Sequence, residues 1–175
     1  MPNSSLGTFG GLGHTGTALK PMIKLSVVVP TFNESGNVQR LLELLDTALK
    51  GILYEVIFVD DDSPDGTAEL VRGIARQDSR VRVLRRVGRN GLSSACVEGM
   101  MAASAPYIAV MDADLQHDER ILPEMLRKME KEQLDVVVGS RNIEGGGMGE
   151  FAQERVALSG LGRKISGLVC RHEVS

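Results

Sequence analysis

Leu25-Ser26-Val27-Val28-Val29 is a short run rich in β-branched side chains, and it stops at Pro30-Thr31-Phe32-Asn33-Glu34, where turn-forming and polar groups take over. An apolar run of this length, bounded by turn residues, reads as a strand buried on both faces. Just downstream, Val38, Leu41, Leu42, Leu45 and Leu49 recur at three- and four-residue steps and make one apolar face of a helix. The alternation continues along the chain. Further strands are expected at Glu55 to Val59, Val81 to Arg85, Tyr107 to Met111 and Asp135 to Val138. Helices are expected around Leu70, Val71 and Ile74, over Leu92 to Ser104, and around Ile121, Leu122, Met125, Leu126 and Met129. Strands separated by helices predict an α/β fold, a mostly parallel sheet with right-handed crossovers and helices on both faces.

Upstream of this pattern, Gly7, Gly10, Gly11, Gly13 and Gly16 lie among Ser, Thr and Asn, too little apolar side chain to offset the entropy of ordering. Residues 1–22 are therefore expected to be a flexible leader, and 23–175 one domain. Gly11-Leu12-Gly13-His14-Thr15-Gly16 matches a dinucleotide-binding pattern by letters, but it has neither the strand before it nor the helix after it that give the pattern meaning. A net charge of -3 excludes a broad electrostatic attraction to nucleic acid, so a ligand must be recognised locally. The two cysteines, Cys96 and Cys170, form neither a disulfide framework nor a pair at metal-ligand spacing. That usage fits a reducing, cytoplasmic setting. No window approaches the roughly 18 apolar residues that cross a bilayer.

In sheets of this kind ligands gather beyond the carboxyl ends of the strands. Those positions hold Pro30-Thr31-Phe32-Asn33-Glu34, Asp60-Asp61-Asp62-Ser63, Asp112-Ala113-Asp114 and Gly139-Ser140-Arg141. Two carboxylates about 4 Å apart repel by about 4 kcal/mol at an effective dielectric near 20, so Asp112 and Asp114 call for a cation or a proton. A divalent ion shared between them, with Gln116 adding a neutral oxygen, answers that need. Oxygen-only ligands favour Mg2+ or Mn2+ over zinc, and the ion's open positions suit phosphate oxygens. Asp118, before Glu119, suits a helix cap, and Asp65-Gly66 suits a turn. Of Asp60, Asp61 and Asp62 only one or two can face the cleft, because successive side chains leave a strand on opposite faces. Such a carboxylate can accept from a nucleobase or ribose, while Asp62-Ser63-Pro64 suits the start of the next helix. Arg141 is equally a surface charge or a planar donor to phosphate. His117, a lone histidine beside a turn, is read as a surface or hydrogen-bonding residue.

Taken together, Val27 to Glu34, Val59 to Thr67, Arg89-Asn90-Gly91, Met111 to His117 and Val138 to Arg141 resemble glycosyltransferase family 2. The likeness extends over about residues 24–165. Ser63-Pro64-Asp65-Gly66-Thr67, Asp112-Ala113-Asp114-Leu115-Gln116-His117 and Gly145-Gly146-Gly147 look like the branch that acts on dolichyl or polyprenyl phosphate with mannose. The resemblance implies a Rossmann-like nucleotide-diphospho-sugar transferase fold. It also implies that Pro30, Phe32 and Glu34 line the nucleotide pocket, with Val59 and Asp61 at the base and ribose. Asp112, Ala113, Asp114 and Gln116 would lie at metal and diphosphate, and Arg141 would contact a donor or acceptor phosphate. Asp114 and Arg141 are then the groups expected at the reacting centre. Phe32 stands where Tyr is common, Asp62 replaces a usual Gly, and Ser93-Ser94 replaces a more Gly-rich stretch.

The activity implied is inverting transfer of a hexose from a nucleoside-diphosphate sugar, GDP-mannose by preference, to a polyprenyl phosphate. Relatives of that branch continue beyond an end such as Val174-Ser175, so the domain is expected to be incomplete at its C-terminus. A non-catalytic nucleotide-sugar-binding module, or transfer of another sugar or to another acceptor, is the alternative. Over 155–172, Val156, Leu158, Leu161, Ile165, Leu168 and Val169 keep helical spacing beside Arg155, Arg163, Lys164 and Arg171. Peripheral contact with the cytoplasmic face of a membrane and packing on the sheet are both open for this segment. Gly160, Gly162 and Gly167 weaken the helix in either case.

Overall fold

The structure, a computed structural model, describes residues 22–140. Its elements are β1 (Leu25–Thr31), α1 (Ser35–Ala48), β2 (Tyr54–Asp60), α2 (Thr67–Ala75), β3 (Val81–Arg85), α3 (Leu92–Met101) and β4 (Tyr107–Val110). A single 3-10 turn (Glu119–Ile121) then leads into α4 (Leu122–Glu132). The four strands form one parallel sheet in the order β3-β2-β1-β4. The strand-helix alternation of the sequence is thus realised from Leu25 to Glu132.

Burial explains the composition of the central strands. Every residue of β1 and β2 is buried, which requires cover on both faces. On one face Leu25, Val27, Val29, Val56 and Phe58 pack with Val38, Leu41 and Leu45 of α1 and Val71 of α2. On the other, Val28, Ile57 and Val59 pack with Ala95 of α3. The period of two along the strand sorts alternate residues between the two layers.

α3 reaches its layer through a glycine. A Cβ built on Gly99 would stand 2.3 Å from Val28 Cγ1 and 2.9 Å from Val59 Cγ2, so the helix backbone lies directly against the sheet. A buried polar group supports the same layer from the other end. Glu55, 3% exposed, accepts from Ser26 Oγ (2.7 Å) and the Ser104 amide (2.7 Å) and pairs with Arg82 (3.1 Å). The Ser26 hydroxyl in turn accepts from the Ala105 amide at 3.1 Å. The turn between α3 and β4 is therefore pinned to the sheet.

Two expectations need correction. No strand forms over 135–138; Val136 and Val138 are 73% and 79% exposed, and β4 ends the sheet among the described residues. Gly139, just beyond it, lies against the 3-10 turn and α4 instead, where a Cβ would stand 2.9 Å from Ile121 Cδ1 and 3.9 Å from Met125 Sδ. Its β-branched pattern finds no strand to pair with there, and propensity without a ladder partner does not make a strand. Asp62-Ser63-Pro64 likewise does not start a helix, since α2 begins at Thr67 behind Gly66 at φ +84°. Among the described residues no helix is long and apolar enough to cross a membrane. The proposed leader, apart from Met22, and the segment 155–172 lie outside the described residues.

Gly99→Ala should destabilise the fold by about 1–3 kcal/mol, the usual range for overpacking a close contact. A thermal or urea unfolding midpoint measures it, and an unchanged midpoint would show that α3 does not approach the sheet this closely.

Candidate active site

Parallel register brings the strand ends to one edge. Thr31 pairs with Asp60 and Asp60 with Arg85, while the Met111 amide donates to the Val28 carbonyl at 3.1 Å and carries the β4 extension along β1. Asp60, Asp61, Arg85, Arg86, Asp112 and Asp114 therefore emerge on the edge where β1 delivers Phe32 and Glu34.

The three consecutive aspartates have three different fates. Asp60 is fully buried and closes its own loop, accepting from the Ser63 amide (3.0 Å) and the Ser63 hydroxyl (2.5 Å). Ser63 Oγ then accepts from the Asn33 amide at 2.9 Å, joining the β1 and β2 loops. Asp62, at φ +58°, turns outward to Arg85 at 2.6 Å. Asp61 lies between them, its side chain 13% exposed, and accepts from Arg86 Nη1 (2.5 Å) and the Gly91 amide (2.7 Å).

Asp65 does more than make a turn. It accepts from the Thr67 amide (3.0 Å) and hydroxyl (2.6 Å) and from the Ser35 amide (3.0 Å), so one carboxylate serves the first turns of both α1 and α2. Burial by itself would raise its carboxyl, but the bonds from Thr67 and Ser35 outweigh it and hold the group at about 2. Glu34 is placed by the same assembly. Its amide donates to Thr67 Oγ1 (3.1 Å), and its carboxylate accepts from Asn37 Nδ2 (2.7 Å).

Beyond β4, Asp112 is partly buried, Ala113 is buried and Asp114 is exposed. Asp114 Oδ1 accepts from the Gln116 amide at 3.0 Å, and His117 Nδ1 stands 3.7 Å from the same oxygen. Leu115, at φ +60°, gives the turn its shape. Asp112 makes no hydrogen bond or ion pair with a described side chain. Burial and, after it, the Asp112 charge push the Cys96 thiol up. α3 thus lies near this carboxylate, and the thiol is a poor nucleophile. Asp118 caps the following turn through the Arg120 amide at 3.0 Å, and the Arg120 side chain draws its carboxyl below the usual range.

The named residues divide by exposure. Phe32 is 57% exposed, and Glu34, Asp61, Asp112, Asp114 and Gln116 also reach the surface of this edge. Pro30, Val59 and Ala113 are buried, with Val59 in the layer beneath α3, so their side chains belong to the floor. Arg141 lies outside the described residues. A cavity of about 440 Å³ at the opposite edge, lined by Lys50, Tyr54 and Arg80 among others, is not this site. Its Arg80 is already paired with Asp46 and Asp78.

Arg86 escaped the sequence reading. It is 2% exposed and joins Asp61 to Glu98 (3.2 Å), to the Gly91 carbonyl (3.2 Å) and to the Ser94 hydroxyl. The signal was Arg85-Arg86 at the end of β3, a strand end on the same edge whose residues carry no acid.

Among the described residues no three His, Cys, Asp or Glu side chains converge as a closed metal cage. What the edge offers is two carboxylates with oxygen donors only, one of them without a partner among those residues. That suits an ion that takes its remaining ligands from a phosphate and water.

A parallel sheet that gathers such groups at its carboxyl edge places the chain in the Rossmann-like α/β class, in which ligands bind at that edge. The chain belongs to glycosyl transferase family 2, whose model matches residues 26–169. It is 42% identical over 124 residues to a dolichol-phosphate mannosyltransferase of Pyrococcus furiosus, covering 71% of this chain and 35% of the relative. It is 37% identical over 110 residues to the Saccharomyces cerevisiae dolichol-phosphate mannosyltransferase, covering 61% and 41%. The chain thus spans less than half the length of these curated relatives. Among solved structures, it resembles a mannosyltransferase from Pyrobaculum calidifontis in complex with GDP-Man and Mn2+, with TM-score 0.51, 25% identity and coverage of 69% and 38%. S. aureus TarS shares the fold at TM-score 0.52 and 23% identity, over 63% of this chain and 33% of that one.

Because the Asp65 carboxyl is held at about 2 against an ordinary 3.8, the unfolded chain binds the extra proton first on acidification. Its stabilisation is present above pH 3.8 and is lost as pH falls through about 2. Asp65→Asn should flatten that part of the acid limb in urea midpoints measured against pH. An acid limb identical to the wild type would remove Asp65 from this role.

Proposed function

We propose that this chain is the nucleotide-sugar-binding and reacting part of a metal-dependent, inverting hexosyltransferase that moves mannose from GDP-mannose to a dolichyl or polyprenyl phosphate. The observation that carries the proposal is the partly buried Asp112 carboxylate, without a partner among the described residues, one residue from Asp114 at the carboxyl edge of a parallel sheet. The relatives' names and the GDP-Man and Mn2+ of the Pyrobaculum calidifontis structure support the choice of donor and acceptor.

Asp112 and Asp114, with the Gln116 amide oxygen, are the residues that would hold Mg2+ or Mn2+. Bound there, the ion opposes the charge that builds on the departing diphosphate. Phe32 presents an exposed ring on which a base can stack. Asp61, held as an acceptor by its two donors, receives N–H or O–H groups of the base or ribose. Pro30, Val59 and Ala113 shape the floor, Glu34 fixes the entry to α1, and Arg141 supplies a planar donor to phosphate. In the transfer, an acceptor phosphate oxygen bonds to the anomeric carbon as the bond to the diphosphate breaks on the opposite side. That oxygen is ionised at neutral pH, so the chain need not provide a general base.

A polyprenyl acceptor brings the reaction to a membrane surface, and 155–172 is the segment we assign to that contact, on the cytoplasmic face. The second reading is nucleotide-sugar binding without transfer. Calorimetry with GDP-mannose, with and without Mn2+, followed by a lipid-phosphate transfer assay, separates the two. Asp112→Ala and Asp114→Ala should each weaken the Mn2+-dependent part of binding by about 100-fold, since even outer partners of metal ligands cost about 10- to 100-fold. Binding that ignores Mn2+, or survives both substitutions, would refute the metal assignment. UDP-glucose binding as tightly as GDP-mannose would refute the choice of donor.

A further inference from the structure

Arg86 is the most buried cation among the described residues, and its cost is not explained by packing. A guanidinium removed from water is expensive unless paired, and apolar residues of similar volume usually serve a core as well. Here the pairing is nearly complete: Nε donates to Glu98, Nη1 to Asp61 and the Gly91 carbonyl, and Nη2 to Ser94. Its own amide donates to the Asp60 carbonyl at 2.8 Å, locking it to the end of β2. These bonds tie the β2 loop, the end of β3 and the start of α3 together around one side chain. The Asp61 carboxylate is fixed from both sides, by Arg86 on Oδ1 and by the Gly91 amide on Oδ2. Gly91 makes this possible with φ +127°, a backbone that other residues rarely adopt. Each Asp61 oxygen keeps a lone pair, so the group is a preset acceptor whose direction is set by Arg86.

We propose that Arg86 is the positioning residue of the nucleoside end of this site, aiming Asp61 at the base or ribose of a nucleoside diphosphate while touching no ligand itself. The inference rests on the reading of Asp61 as a nucleoside acceptor. A planar fork holds two carboxylates, a carbonyl and a hydroxyl at once; an ammonium at the same place keeps the charge but not the geometry.

The test is GDP binding to the full chain in the presence of Mn2+, followed by calorimetry for wild type, Arg86→Lys, Asp61→Asn and the double variant, with circular dichroism as the check on folding. The expected result is a loss of about tenfold for either single variant, with the double variant no weaker than Asp61→Asn alone. Losses that multiply in the double variant would show a merely structural role and overturn the proposal, as would GDP binding by Arg86→Lys equal to wild type. Should Arg86→Lys fail to fold, Glu98→Gln decides, because it loosens Nε and leaves the guanidinium in the core. A loss of about threefold is expected there, and unchanged affinity overturns the proposal. A wild-type chain that binds no GDP overturns the transferase reading and this inference together, an outcome distinct from wild type and Arg86→Lys binding alike.

Discussion

Parallel pairing of β1 on both of its edges is the constraint from which the rest of the molecule follows. The register advances from Leu25 opposite Tyr54 to Thr31 opposite Asp60 on one side, and from Leu25 opposite Tyr107 to Val28 opposite Val110 on the other, so β2 and β4 run in the same direction as β1. Parallel neighbours cannot be joined by a hairpin, and each connection has to cross over the sheet. The crossovers supply the helices that bury both faces. They also return every strand with its carboxyl end on the same edge, which is why acids far apart in the chain meet there.

That edge is built by distributing charge among different tasks. Asp60 is spent inside the loop on Ser63, Asp62 on an outward pair with Arg85, and Asp65 on the first turns of two helices. Asp61, Asp112 and Asp114 keep acceptor capacity open toward the surface of this edge. Two deeply buried ions are paired: Glu55 lies between Ser26, the Ser104 amide and Arg82, and Arg86 between Asp61 and Glu98. An unpaired charge at either place would carry a desolvation penalty of several kcal/mol. The deep ions therefore stiffen the frame and leave the shallower acids available.

Much of this was legible in the chain because it is local. β3 has the boundaries expected of it, β1 and β2 extend the expected runs by one or two residues, and the face made by Val38, Leu41 and Leu45 is the one that α1 buries. Asp118 is the cap that its place before Glu119 suggested. The residues that misled are those whose state depends on distant partners. Val136 and Val138 have strand-like spacing but no neighbouring strand among the described residues, and Asp62-Ser63-Pro64 has the letters of a helix start but is held in a loop by Asp60 and Arg85.

The sequence by itself determined the alternation of strands and helices, the family, and the acids placed after β2 and β4. Each of these follows from side-chain periodicity or from residues close together in the chain. Only the tertiary structure decided which acid serves which purpose. Asp60, Asp61 and Asp62 are chemically identical and adjacent, and what separates them is the company that folding brings: Ser63 and Thr31 for the first, Arg86 and Gly91 for the second, Arg85 for the third. The importance of Arg86 was invisible for the same reason, since its partners lie at the end of β2 and along α3, and burial, which makes those bonds strong, exists only in the folded chain.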